Sequence, residues 1–458
     1  MVKSLVRVAT VVCFAVVTGF IASIAYIQWT ARPVARAAVH IASGAADERA
    51  LAGTLDTVRG RLGKLRALVP SPTDHGYLES AARRKSRNLR QELVATHGQA
   101  RRRPLAYDPT ETMFISICSF RDLQCAPTLY DMYEKAKWPR NVFVGAVQQH
   151  VADDPTCIPP QYKDECTAAD WCPSDNIKTR TIEPKMARGP TFGRYYGMLM
   201  YRNERYFMMI DSHNRWVTHW DSVVLSMYHG LPTKKGVLAH YPESWINPDD
   251  NGTETNAPLD NRPTTMYMCT AHWLPELGFV RMGGFIINRK AKFGKDTCRP
   301  QPYAGAGFLF AYGKLVQDVP FDPHLPFVFN GEEIMYTVRM WTHGWDIYSP
   351  GENILFHYYY RRKSKRVFQD TRGWAPSQLR SIHRVQHILK LNPVRPDLTS
   401  HSRVTGVGPP PKNSRVFLKL DVYGLGTNRT LKQYWEYAGG DPVKRTFDKD
   451  FCKKHFNG

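Results

Sequence analysis

The run Tyr206-Phe-Met-Met-Ile210 is apolar, of strand length, and stops abruptly at Asp211-Ser212-His213. The same texture returns on both sides of it. Met113–Cys118 and Val142–Val147 read as strands, and apolar runs resume at Gly283–Ile287 and Ala304–Phe310. Thr128–Ala136, Phe192–Met200, Val217–Tyr228 and Glu332–Trp341 carry helical patterning. Strands alternating with helices of this length predict an α/β sheet. In such sheets ligands bind at the carboxyl ends of strands, where Asp211 and His213 stand. A carboxylate and an imidazole one residue apart can turn toward one divalent cation and suit Mn2+-like ions. For the tripeptide alone, a capped strand end with a surface histidine is the plainer reading; its surroundings decide.

A chain of 458 residues can bury one large domain or two moderate ones. Its formal charge is +21, about half of it placed before residue 110. That balance favours anionic partners such as sugar nucleotides, phosphorylated acceptors or lipid headgroups. No zinc finger, RNP-like string or basic recognition helix is present, so no nucleic-acid partner is expected. Neither a Gly-x-Gly-x-x-Gly fingerprint after the first strand nor a P-loop occurs, which sets aside a dinucleotide dehydrogenase and a P-loop NTPase.

Val8 to Ile27 is nearly uncharged and long enough to span a bilayer, with Lys3 and Arg7 before it and Tyr26 and Trp29 at its far end. A retained signal anchor is expected. This gives a cytoplasmic tail 1–7, an anchor 8–28, a stem 29–109, a catalytic domain 110–445 and a tail 446–458. Leu51, Leu55, Val58, Leu62, Leu65 and Val69 step by four and three, compatible with a stem-mediated homodimer, although Gly53, Gly60 and Gly63 weaken that helix. Eight cysteines lie outside the anchor with no Cys-x-x-Cys pair, which fits disulfides in an oxidising lumen better than zinc. The expected location is the Golgi or ER membrane, single-pass type II, with the bulk lumenal. Thr430-Leu-Lys-Gln433 reads as a capping box opening a last helix.

Other residues could carry chemistry. Arg121 and Asp122 form a polar turn at the end of the first strand, fit for a base, ribose or phosphate, or for a local ion pair. Arg188 and Arg194 flank the turn Gly189-Pro190 before a helix start, where amides and guanidinium groups could meet a diphosphate. Asp221 follows the Asp211/His213 pair and could buttress it or face solvent. Glu332 and Glu333 open a helix, where the dipole favours acids; one of them could also bind sugar hydroxyls. His357 ends another apolar run and is a candidate third metal ligand.

Several of these stretches occur in one order. Ile115-Ser-Ile-Cys-Ser-Phe-Arg-Asp122, Val144-Gly-Ala-Val-Gln-Gln149, Ala187-Arg-Gly-Pro190 and Met209-Ile-Asp-Ser-His213 come first. Trp220-Asp221, Gly331-Glu-Glu333, Trp341-Thr-His-Gly-Trp345, Phe356-His357 and Gly426-Thr-Asn-Arg-Thr-Leu431 follow. The series resembles the polypeptide α-N-acetylglucosaminyltransferase family, glycosyltransferase family 60, over roughly residues 110–445. The resemblance implies a GT-A-like α/β domain that moves N-acetylglucosamine from UDP-GlcNAc to a protein hydroxyl with retention. It further implies that Asp211 and His213 bridge Mn2+ to the diphosphate. Arg121 and Asp122 would lie at the uridine end, with Glu332 or Glu333 near sugar and acceptor. The anchor and cysteines favour the mucin-type branch, which acts on Ser/Thr of secretory or surface glycoproteins. The rival readings are another UDP-sugar donor, a phosphorylated acceptor, and a catalytically silent, lectin-like membrane partner.

Overall fold

The computed structural model describes residues 108–456, apart from 163–165, 167–169, 246–263, 276–277, 289–297, 360–363 and 392–414. The expected tail 1–7, the anchor 8–28 and almost all of the stem 29–109 lie outside the described residues. Among the described residues no helix is long and apolar enough to cross a membrane.

The described strands are β1 (Met113–Phe120), β2 (Val142–Gln149), β3 (Ile177–Ile182), β4 (Tyr206–Asp211), β5 (Asn214–Trp216), β6 (Gly236–His240), β7 (Thr264–Leu274), β8 (Phe279–Asn288), β9 (Arg299–Pro300), β10 (Phe308–Tyr312), β11 (Asp346–Ser349) and β12 (Leu355–His357), with a short ribbon of β13 (Gly440–Asp441) and β14 (Thr446–Phe447) near the end of the chain. The helices that position the site are α1 (Cys125–Lys135), α2 (Pro190–Met198), α3 (Trp220–His229), α4 (Glu332–Thr342), α5 (Val367–Asp370) and α6 (Ala375–Ile388). Near the end of the chain come α7 (Leu431–Tyr437) and α8 (Phe451–Phe456).

Eight strands form one mixed sheet in the order β3-β2-β1-β4-β10-β6-β11-β9. β1 runs parallel to both β2 and β4, with Cys118 opposite Val147 on one side and Asp211 on the other. The carboxyl ends of these three strands therefore emerge along one edge. β10 enters antiparallel between β4 and β6. Tyr206 through Ile210 are all buried because both faces of β4 are covered. Met208 and Ile210 pack with Leu129 of α1 and Trp220 and Val224 of α3. Phe207 and Met209 face Met198 of α2 and Met340 of α4. Each such side chain contributes roughly 1.5–3 kcal/mol by leaving water.

The fold is thus mixed α/β, as the patterning predicts. β3 was not expected: Ile177-Lys-Thr-Arg-Thr-Ile182 is an edge strand with exposed polar positions, so its hydrophobic signal is weak. The box at Thr430 forms, with Gln433 N–H donating to Thr430 Oγ1 at 3.2 Å, but it opens α7, and α8 follows it. Disulfides join Cys125 to Cys157, Cys166 to Cys172 and Cys269 to Cys452. Cys118 and Cys298 lie outside these bridges.

Candidate functional site

β4 delivers Asp211 to the sheet edge, and the chain turns through Ser212 and His213 into β5. α1 holds that turn. Thr128 Oγ1 accepts from the Asn214 amide at 2.9 Å and lies 3.0 Å from the Ser212 carbonyl, to which its hydroxyl can donate. β12 pairs antiparallel with β5, placing His357 opposite Asn214. The backbone of His357 is held again from outside the ribbon, its N–H donating to the Glu243 carbonyl at 2.8 Å. Asp211, His213 and His357 thereby each present one ligand atom within 4.8 Å of the others. His357 Nε2 lies 3.0 Å from Asp211 Oδ2.

The surrounding hydrogen bonds prepare this cluster. Asp122 Oδ2 accepts from His213 Nδ1 at 2.7 Å and from the Ser212 hydroxyl at 2.8 Å, while Oδ1 accepts from the Gln124 amide at 3.0 Å. With the Nδ1 proton directed at a carboxylate, the lone pair of His213 resides on Nε2. That Nε2 is buried and has no hydrogen-bond partner among the described residues. A buried bare imidazole nitrogen beside a carboxylate and a second imidazole fits a divalent cation, and the one-oxygen, two-nitrogen set suits Mn2+-like ions.

Arg194 comes from α2, which lies unusually close to β1. A Cβ at Gly193 would strike Cys118 Sγ, and one at Gly197 would strike Ser116 Oγ. Two glycines one turn apart let the helix settle onto the strand. Arg194 then reaches inward, Nη1 to Glu332 Oε1 and Nη2 to Asp211 Oδ1 at 3.1 Å and to the Ala306 carbonyl at 3.2 Å. Although burial opposes its charge, Glu332 and Asp211 raise the Arg194 pKa and keep it ionised. Burial alone would lift the Asp211 carboxyl; the His357 and Arg194 contacts overcome this and hold it well below the usual carboxylate range.

Glu333 accepts from the Ala306 amide at 2.9 Å and from the Tyr241 hydroxyl. Burial pushes its carboxyl up to about 7 against those two hydrogen bonds. Tyr241 was not among the expected site residues; its hydroxyl reaches Glu333 only through the fold. The available signal was Ala304-Gly-Ala-Gly307: Gly305 lies against the backbone of His240 and Tyr241, where no Cβ fits.

Asp211, His213, His357, Arg194 and Glu332 therefore converge, with Asp122 behind His213 and Glu333 beside Glu332 in sequence. Two expected residues are differently employed. Asp221, expected to buttress the metal pair, is fully buried and accepts from the amides of Lys137 and Trp138 at 2.8 and 2.6 Å and of Ser222 at 2.9 Å. It joins the start of α3 to the chain after α1. Arg121 donates two hydrogen bonds to Asp154, at 2.8 and 3.1 Å, and one to Asp370 at 3.1 Å. Arg188 lines a cavity with Lys185, Phe327 and residues around Asp370.

A family model described as Glycosyltransferase (GlcNAc) matches residues 112–171 and 165–444. No curated protein matches the chain. Among solved structures, GalNAc-T7 with UDP, GalNAc and Mn2+ aligns over 60% of this chain and 48% of its own, at 12% identity and a TM-score of 0.42. S. aureus TarS 1–349 in complex with UDP-GlcNAc aligns over 62% and 68%, at 11% identity and a TM-score of 0.37. The chain spans about half the length of the GalNAc-T7 structure. With the sequence match running from residue 112 to residue 444, the chain belongs to the Glycosyltransferase (GlcNAc) family.

Proposed function

We propose that the protein is a metal-dependent, retaining transferase that moves N-acetylglucosamine from UDP-GlcNAc to Ser/Thr hydroxyls of secretory or surface glycoproteins. The observation that carries this is the convergence of Asp211, His213 and His357 at the carboxyl edge of the sheet in a chain of this family. The ordered motifs shared with the polypeptide α-N-acetylglucosaminyltransferases, glycosyltransferase family 60, support donor and acceptor class. The parallel strands β3-β2-β1-β4 ending beside Asp211 support a GT-A-like reading of residues 110–445.

Asp211, His213 and His357 would hold the divalent cation, Mn2+ or a similar ion. When bound, it would supply positive charge for the departing diphosphate. The chain's own residues do the positioning. Asp122 directs the Nε2 lone pair of His213 into the cluster, and Arg194 ties Asp211 to Glu332. Glu332 is engaged by Arg194, and Glu333 by Tyr241 and Ala306, so neither carboxylate is offered as a nucleophile. That favours attack of the acceptor hydroxyl from the face the diphosphate leaves, its proton passing to a diphosphate oxygen. Three disulfides suit an oxidising lumen. With the apolar run of residues 8–28, they support a type II protein of the Golgi or ER membrane.

The test is the full chain incubated with UDP-GlcNAc, Mn2+ and a Thr/Pro-rich peptide, followed by mass spectrometry, with a chelated control. A metal-dependent gain of one HexNAc on the peptide is expected. UDP release from a different sugar nucleotide, with no gain, would change the donor. Absence of both UDP binding and product would defeat the transferase reading.

A further inference from the structure

A cavity of about 390 Å³ opens between the segment before α2 and the segment joining α5 to α6. Its walls include Lys185, Arg188, Phe327, Asp370, Thr371 and Arg372. Three of these are cationic, Lys185 also meeting the exposed Glu183 at 2.5 Å. The one acid, Asp370, is engaged by Arg121 at 3.1 Å. Arg188 is braced for a fixed role: Nη1 donates to the carbonyls of Lys185 and Ala187 at 3.0 and 2.8 Å, and its guanidinium lies 5.7 Å from the Phe327 ring.

The independent observation is Thr371. It is 9% exposed, and its buried Oγ1 has no hydrogen-bond partner among the described residues. An unsatisfied buried hydroxyl costs about 1–3 kcal/mol, a cost removed by a ligand that accepts from it. Arginine and lysine beside a bare hydroxyl donor form the set that recognises a phosphate, through charge-assisted hydrogen bonds from the cations and a neutral one from the threonine. The volume falls in the range of small-molecule sites, so it holds a phosphate together with part of what bears it. The floor has a further mark of a built site. Phe327 stands at φ 61, where a bulky residue is strained, against Gly189 at φ 91.

We infer that this cavity binds a phosphate group, with Arg188, Arg372, Lys185 and the Thr371 hydroxyl as its donors. The transferase reading enters only in naming the two molecules that could bring the phosphate, the nucleotide donor or a phosphorylated acceptor. Arg188 stands two residues before the first residue of α2 and Arg194 four after it, so the two are six positions apart, the last four spanning about 6 Å of helix rise.

Titration calorimetry on the full chain tests this with two probes, UDP and a phosphoserine peptide, in metal-free buffer. Arg372→Gln is an exposed change, and Thr371→Val preserves shape. Melting of each variant is compared first, to confirm folding. Arg372→Gln is expected to weaken one probe at least tenfold, and Thr371→Val severalfold. Loss confined to UDP identifies the donor's phosphate; loss confined to the phosphopeptide identifies the acceptor's. Affinities unchanged by both substitutions, or a wild-type chain that binds neither probe, would overturn the inference. The Mn2+-dependent transfer assay stands apart from these readouts. Phosphopeptide binding that responds to the variants, with neither UDP binding nor transfer, would leave the cavity in place and defeat the transferase reading.

Discussion

Asp122→Ala is the substitution that most directly probes the cluster at the sheet edge. The carboxylate accepts from His213 Nδ1 at 2.7 Å, from the Ser212 hydroxyl and from the Gln124 amide. Its removal leaves the Nδ1 proton only the Ser212 hydroxyl, 3.4 Å away, in a residue only 4% exposed, a loss of about 1–3 kcal/mol. The ring can then rotate or exchange tautomers, and Nε2 no longer presents its lone pair on every molecule. Loss of a carboxylate partner behind a metal-bound histidine typically weakens metal affinity 10–100-fold, about 1.4–2.7 kcal/mol. The two estimates agree in size. Mn2+ titration of the full chain, followed by calorimetry, should show that drop. The metal concentration giving half-maximal transfer should rise in step, with the rate at saturating metal largely retained. Wild-type metal affinity in a folded Asp122→Ala protein would refute the reasoning. Asp122→Asn, which can still accept through one oxygen, should fall between the two.

Three further outcomes follow from the packing. Arg194→Met should destabilise the fold by about 3–5 kcal/mol in a denaturant melt, because it strands Glu332 and Asp211 without their shared cation. Gly193→Ala should cost about 1–3 kcal/mol as its methyl meets Cys118 Sγ, and Cys118→Ala in the same chain should return much of that loss; simple additivity would show that the contact is not the cause. His240 is fully buried and burial depresses it to about 3, so the unfolded chain binds its proton first. Its contribution is whole above the ordinary histidine pKa and is lost as pH falls from there toward the folded value. About 2 kcal/mol should go between pH 7 and pH 5, and His240→Leu should flatten that part of the stability profile.

The metal cluster was legible because a carboxylate or imidazole placed directly after an apolar strand breaks the pattern, as at Asp211 and His357. Side-chain direction was less legible. Arg194 has the composition of a phosphate contact, and only its place beside Gly193, on the face pressed against β1, turns it inward. Asp122 was expected at the uridine end, whereas its neighbours Ser212 and His213 come from the turn after β4, about ninety residues later. A contact of that separation leaves no local periodicity. Asp221 shows the converse: an acid in the first turn of a helix has a local explanation, but its partners at Lys137 and Trp138 are set by tertiary packing.

The inward turn of Arg194 constrains how charge is managed in this site. Three of its five N–H donors are engaged, and its single positive charge faces two carboxylates. Burial raises the Glu332 carboxyl while Arg194 favours its charged form. With both carboxylates ionised, Asp211, Glu332 and Arg194 together carry one net negative charge, which attracts a cation and repels a diphosphate. Two negative phosphates cannot be neutralised by a guanidinium already matched twice over. If a sugar nucleotide is the substrate, its charge must be met by an ion at Asp211, His213 and His357 and by cations placed elsewhere. Positive charge outside that cluster stands at Lys185, Arg188 and Arg372 around the cavity, with Lys185 also paired to Glu183. An acidic cradle for the metal and a basic cavity for phosphate are thus complementary demands of one polyanionic ligand, and Arg194 separates them by holding the first together.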